Sequence, residues 1–328
     1  MQNSKPVVSI ITTCYNSESY LSRYLDSILS QSYKNIQQII VNDGSFDNTE
    51  KIIYDYIPKF ESAGMEITYF KQENKGLGAA VNAGLKYIKG KYFTWCDSDN
   101  FLSPDYVESK VSFLENNPEY SIVRCNGYVV DESNITLPIG IMDGNSVIDK
   151  TNENLFLNCL FVTDFHFGCA MVKTADFDKV VKDREIFPSK YGHNWQLLLP
   201  MFYHYKSGYV DKPMFYFVVR SDSLSNHVEH ENYQKQVDMY KGHYEIIEKT
   251  LLGMNIPDCE KYLKKVRTKY YHLELSVLFG AKDKKQFKRI YKSLKKLGKI
   301  SEGTKDSYYE LCYPLLYKIY QKTIKTRK

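Results

Sequence analysis

The chain has 328 residues, 43% of them hydrophobic and 25% charged, a composition that excludes a disordered protein and leaves room for one large domain with an appendage. No run of about 18 apolar residues occurs and no cleavable leader pattern precedes the first strand-like segment, so the expectation is a cytosolic chain without a transmembrane helix. The formal net charge of +5 is unevenly spread, with 21 Lys and Arg against 27 Asp and Glu over residues 1–227 but 23 against 12 over 228–328, which points the tail end at an anionic partner.

Val7–Thr12 is a short β-branched run, followed by a helical pattern over Ser19–Gln31. Ile36–Val41 predicts a second buried strand, closed by Asn42-Asp43-Gly44-Ser45. Asp47 then opens a helix, with Glu50 placed for a capping box. Ile67–Phe70 predicts a third strand, Gly76–Lys89 a helix, Tyr92–Cys96 a fourth strand and Ser121–Val130 a fifth. Repeating βα units of this length imply an α/β fold with a doubly wound, mostly parallel sheet. In such sheets ligands bind beyond the carboxyl ends of the strands, where the polar turns Thr12–Asn16, Asn42–Ser45 and Asp97–Asn100 should converge.

Farther on, Trp195–Tyr205 reads as a helix and Met214–Val219 as a strand. From residue 229 the pattern turns helical and basic. Phe287, Ile290, Tyr291, Leu294 and Leu297 recur at helical spacing, with Gly298 as the stop. The expected division is a domain over 1–228, with a first half at about 6–130 and a second at 131–228, and a helical C-terminal region over 229–328. Seven cysteines without CxxC spacing argue against a disulfide framework and a zinc site.

Four segments in order, PVVSIITTCYNSESYLSRYLDSILSQ, IIVNDGSFDNT, ENKGLGAAVNAGL and FTWCDSDNFLSPDY, resemble the successive signatures of family 2 glycosyltransferases with a GT-A fold. The resemblance is close over residues 6–130 and looser over 160–226, and it does not reach the last hundred. It implies an inverting transfer from a UDP-sugar, aided by Mn2+ or Mg2+, to a saccharide acceptor. Donor contacts would come from Thr12, Cys14, Tyr15, Asn16, Asp43, Lys75, Gly76, Asn82, Asp97, Ser98 and Arg220. Asp97 would hold the ribose and Asp99 the metal, with Asp222 replacing the family's histidine in the metal shell.

Asp-x-Asp at a strand end suits this chemistry, because a cation already bridging phosphate oxygens needs only one or two protein carboxylates. The sequence departs from the family in the helix start where Glu-Asp is usual: YGHNWQLLLP supplies His193 and Asn194 instead. His193 could act as the base or cap the helix, and Asp164 is the other candidate base. Asn194 and Trp195 would face the acceptor.

The basic tail suits a lipid-linked acceptor at the inner face of an anionic membrane, as in capsule or other surface polysaccharide assembly, with the protein peripherally attached. Nucleic-acid binding is not expected, because the tail tyrosines fall on faces that helices would bury. A homo-oligomer is compatible with the sequence. The competing classes are a non-catalytic nucleotide-sugar or glycan binder and a sugar nucleotidyltransferase. The second lacks the Gly-rich, basic pyrophosphate loop it would need.

Overall fold

The computed structural model describes residues 5–142, 150–161, 165–189, 191, 193–220, 233–298, 300–315 and 317. The chain packs as two compact units, residues 1–220 and 221–328.

The first unit is built on a nine-stranded mixed sheet. Its strands are β1 (Val8–Cys14), β2 (Ile36–Asp43), β3 (Glu66–Gln72), β4 (Tyr92–Trp95), β5 (Phe101–Leu102), β6 (Ile122–Asp131), β7 (Asn134–Ile141), β8 (Ala170–Lys173) and β9 (Ser207–Val219). The order is β3-β2-β1-β4-β8-β6-β9-β5, with β7 paired to β6. Strands β3 to β4 are parallel, as the βα rhythm predicts, through α1 (Leu21–Leu29), α2 (Thr49–Ser62) and α3 (Leu77–Lys86). In β1 and β2 both faces are buried, and Ile10, Ile11, Ile39, Ile40 and Val41 are all fully buried, whereas edge strand β3 is only half-buried. Beyond β4 the sheet turns mixed, since β8 enters antiparallel to both β4 and β6. The described residues of this unit also form α4 (Tyr106–Asn116), α5 (Phe156–Phe161), α6 (Thr174–Val180) and α7 (His193–His204).

Two local details differ from the sequence reading. No capping box forms at α2: Asp47 Oδ1 accepts from Thr49 N at 3.0 Å, but Glu50 turns away to the Tyr69 hydroxyl at 2.9 Å. The rival donors lie on the neighbouring strand, where a propensity argument cannot see them. Strands β5 and β8 are two and four residues long, too short to show a period.

In the second unit four helices, Tyr233–Met254, Cys259–Gly280, Lys284–Leu297 and Glu302–Cys312, enclose a core that includes Val237, Leu275, Leu278, Phe287, Ile290, Leu294 and Leu311. The expected stripe on the third of these is the buried one at Phe287, Ile290 and Leu294. Asp283 caps it, accepting from Gln286 N at 3.0 Å.

Candidate active site

Three turns meet at the carboxyl ends of β1, β2 and β4, and hydrogen bonds lock them together. Asn16, in the left-handed region at φ 49°, receives Phe46 N on its side-chain oxygen at 3.1 Å and donates its own N–H to Ser45 Oγ at 3.0 Å. Ser17 and Ser98 oxygens sit 3.2 Å apart, which ties the first turn to the third. Gly44, at φ 76°, admits a close approach that no side chain would allow: a Cβ there would lie 2.7 Å from Asn74 N.

Within this frame the predicted donor residues divide by direction. Thr12 is fully buried, its hydroxyl bonded to Tyr24 and to Cys96 O, and Cys14 lies in the core, where burial pushes its thiol up to about 12. Both side chains are turned into the core beneath the turn. Tyr15 is 47% exposed and meets Phe46, 82% exposed, edge to face at 6.2 Å. Phe46 is an aromatic on this rim that the sequence reading passed over.

Asp43 is almost fully buried. Its Oδ1 accepts from Gln72 Nε2 at 2.7 Å and Lys75 N at 3.0 Å, and its Oδ2 from Gly76 N at 2.9 Å. It thereby holds the loop entering α3, and Lys75 contributes its backbone while its side chain is exposed. The Asn82 amide is spent on both backbone groups of Ile186, at 2.8 and 2.9 Å. Gly78 packs so tightly on Ser189 that a Cβ would come within 2.4 Å of Ser189 N.

The third turn carries the charge. Asp97 Oδ1 accepts from the Trp95 indole N–H at 2.8 Å, and its Oδ2 lies 3.5 Å from His166 Nε2. Asp99 Oδ2 lies 3.2 Å from Arg220 Nη1, and Arg23 donates to the Asp99 carbonyl at 2.7 Å. Burial, and next the charge of Asp97, push the Asp99 carboxyl up to about 6 against the pull of Arg220 and Arg23. Arg220 also lies 4.1 Å over the Tyr20 ring.

Asp97 and Asp99 crowd two negative charges onto one turn, and a divalent cation beside them would relieve that repulsion. Among the described residues no group of three or more His, Cys, Asp or Glu could enclose an ion. A cation here would therefore take most of its ligands from a bound diphosphate and water.

His193, Asn194 and Trp195 lie deeper than the sequence suggests. His193 opens α7 and is only 8% exposed, its ring 5.2 Å from that of fully buried Trp95 and its Nε2 without a hydrogen-bond partner among the described residues. Burial lowers its pKa, opposed by the charge of Asp97. Asn194 Oδ1 accepts from Phe167 N at 3.2 Å, and buried Trp195 donates to Cys159 O at 3.3 Å. Asp164 and Asp222 lie outside the described residues. His166 and Arg23 reach the site without having been singled out in the sequence. His166 stands two residues after Asp164 in VTDFHFG, but nothing local marks it.

The family model described as glycosyl transferase family 2 matches residues 9–181. An uncharacterized glycosyltransferase of Rickettsia felis is 31% identical over 230 residues, 68% of this chain and 36% of the relative. Another, RP339 of Rickettsia prowazekii, is 33% identical over 198 residues, 60% of this chain and 59% of that one. The chain thus spans well under two thirds of the length of these relatives. Among solved structures, S. aureus TarS 1-349 in complex with UDP-GlcNAc aligns with a TM-score of 0.59 at 17% identity, over 93% of this chain and 79% of that one. The mannosyltransferase PcManGT of Pyrobaculum calidifontis in complex with GDP-Man and Mn2+ aligns at 0.54 and 15%, over 98% and 84%. At those identities the likeness is one of fold.

Proposed function

The chain belongs to glycosyltransferase family 2, and from that premise we propose that it is an inverting transferase moving a sugar from a UDP-sugar to a saccharide acceptor. The observation that carries this reading is the crowded Asp97–Asp99 pair on the same rim as the Tyr15 and Asp43 turns. The donors held by the two solved structures, UDP-GlcNAc and GDP-Man, are both nucleoside-diphosphate sugars. Asp99 would hold Mn2+ or Mg2+, with Asp222 as the second candidate ligand, and the bound ion would stabilise charge developing on the departing diphosphate. Arg220, already beside Asp99, supplies a forked donor for the same phosphates. Tyr15 would cover the base, Asp43 would accept from it, and Asp97 would take the ribose.

The acceptor proton needs a base. His193 is buried in the ligand-free structure, and Asn194 has no basic group and spends its oxygen on Phe167. That favours Asp164 as the first carboxylate to replace. It also sustains a second reading, a nucleotide-sugar or glycan binder without turnover.

For the basic region we propose an anionic membrane surface at the cell's inner face and a lipid-linked acceptor of surface polysaccharide assembly. Residues 261–299 hold 14 Lys and Arg against 2 Asp and Glu. Vesicle binding that ignores both lipid charge and salt would remove that part. The deciding experiment is a screen of UDP-sugars for metal-dependent UDP release in the presence of saccharide acceptors. Metal-dependent release with at least one donor is expected, whereas tight UDP binding without release under any donor would favour the binder.

A further inference from the structure

The single turn His166–Cys169 is held by more buried polar contacts than its length would call for. Phe167 N donates to Asn194 Oδ1 at 3.2 Å, and the Gly168 carbonyl accepts from the Tyr106 hydroxyl at 2.7 Å. The Cys169 carbonyl accepts from Lys110 Nζ, also at 2.7 Å. Both Tyr106 and Lys110 are fully buried. A buried ammonium is costly, and burial lowers the pKa of Lys110, so a lysine fixed on one carbonyl is a strong constraint on that turn.

The residue this bracket presents is His166. Its ring packs against Phe215 and Phe217, with centroids at 4.9 and 5.9 Å. Gly168 N–H donates to His166 Nδ1 at 3.3 Å, so Nδ1 is the unprotonated nitrogen of a neutral ring and Nε2 carries the proton. That Nε2 is the atom 3.5 Å from Asp97 Oδ2, while Trp95 serves the other oxygen. Two ring N–H groups therefore flank one carboxylate from the protein side, and the Asp97 side chain is still 28% exposed.

We propose that His166 is a positioning residue that orients Asp97 toward a ribose hydroxyl, and that Asn194 belongs to its support. The helix start that carries His193 and Asn194 thereby has a structural use. It braces the turn that aims the donor-binding aspartate. The present 3.5 Å separation is long for a hydrogen bond, and it shortens when a hydroxyl draws Asp97 into its binding position. The proposal rests on the reading of Asp97 as a ribose ligand.

Calorimetry with UDP and with 2′,3′-dideoxyuridine diphosphate separates the two ideas. The wild-type full chain should prefer UDP by about tenfold or more, the worth of a charge-assisted hydrogen bond. His166→Phe should cut that preference to about twofold or less while binding the dideoxy compound as before, and His166→Gln, whose Nε2 can donate in place of the imidazole, should restore most of it. Full preference in His166→Phe, or equal losses for both compounds, overturns the positioning role. If Asp97→Asn keeps the preference, the ribose reading fails and takes this proposal with it. Nitrogen NMR of the wild-type imidazoles gives a test that needs no variant. A His166 protonated on Nδ1 near neutral pH would contradict the proposal.

Discussion

Asp43 and Asp99 stand on the same rim in different surroundings: Asp43 is almost fully buried, while the Asp99 side chain is 32% exposed. Asp43 receives two backbone N–H groups and a side-chain amide, which fix its position. Among the described residues, Asp99 meets the Arg220 side chain and faces a second negative charge at Asp97. The difference separates a carboxylate held by the protein's own donors from one crowded by a second negative charge. Glu274, in the second unit, extends the series: it is 1% exposed, and neither oxygen has a hydrogen-bond partner among the described residues.

The strongest way to break the comparison is Asp99→Asn. Turnover with Mn2+ should fall by about tenfold to a hundredfold, as expected on losing charge stabilisation of a departing anion. Unchanged rates across a metal titration would show that Asp99 is no more a metal ligand than Asp43 is. The same variant has an opposite effect on the ligand-free fold. Because the Asp99 carboxyl is raised to about 6 from an ordinary 3.8, the stability tied to its protonated form is complete below 3.8 and lost as pH rises through 6. Asp99→Asn should therefore melt above wild type at pH 8, with the gap closing toward pH 4. Parallel melting curves would mean that the carboxyl is not strained.

Asp43→Ala should do the reverse. It leaves Gln72 Nε2 and Lys75 N without the Asp43 acceptor and Gly76 N with only Asn74 Oδ1, at about 1–3 kcal/mol in chemical denaturation. A stability loss near zero would mean that the loop before α3 does not depend on Asp43. The smallest effect is expected at Glu274. Burial raises its pKa from 4.5, opposed by the charges of Lys241, Arg267 and Arg289. Glu274→Met should stabilise the chain by about 1–2 kcal/mol at pH 7, and by less as pH falls toward 4.5, because the native carboxyl takes up its proton before the unfolded one does. Destabilisation at pH 7 would instead make Glu274 part of a favourable charge network with those three cations.

What could be read from residues alone was whatever depends on near neighbours. The four parallel strands announce themselves through β-branched runs, the rim through its Asn, Asp and Gly turns, and the basic helices through the spacing of Phe287, Ile290 and Leu294. Family membership was legible for the same reason, since each signature is a short contiguous segment. Direction was not legible. Thr12 and Tyr15 are three residues apart in one quoted motif, yet one is sealed under Tyr24 while the other stands in solvent.

Nor could the sequence say which residues complete the site, because their partners are distant in the chain. Arg23 meets Asp99 across 76 positions, Arg220 meets it across 121, and Lys110 holds Cys169 across 59. The composition of a segment limits which groups it can offer. Which of those groups meet, and whether water is still there when they do, depends on how the sheet curls and on which helix closes over it. Tertiary packing therefore buried His193 beside Trp95 and set His166, unmarked by any local pattern, against Asp97.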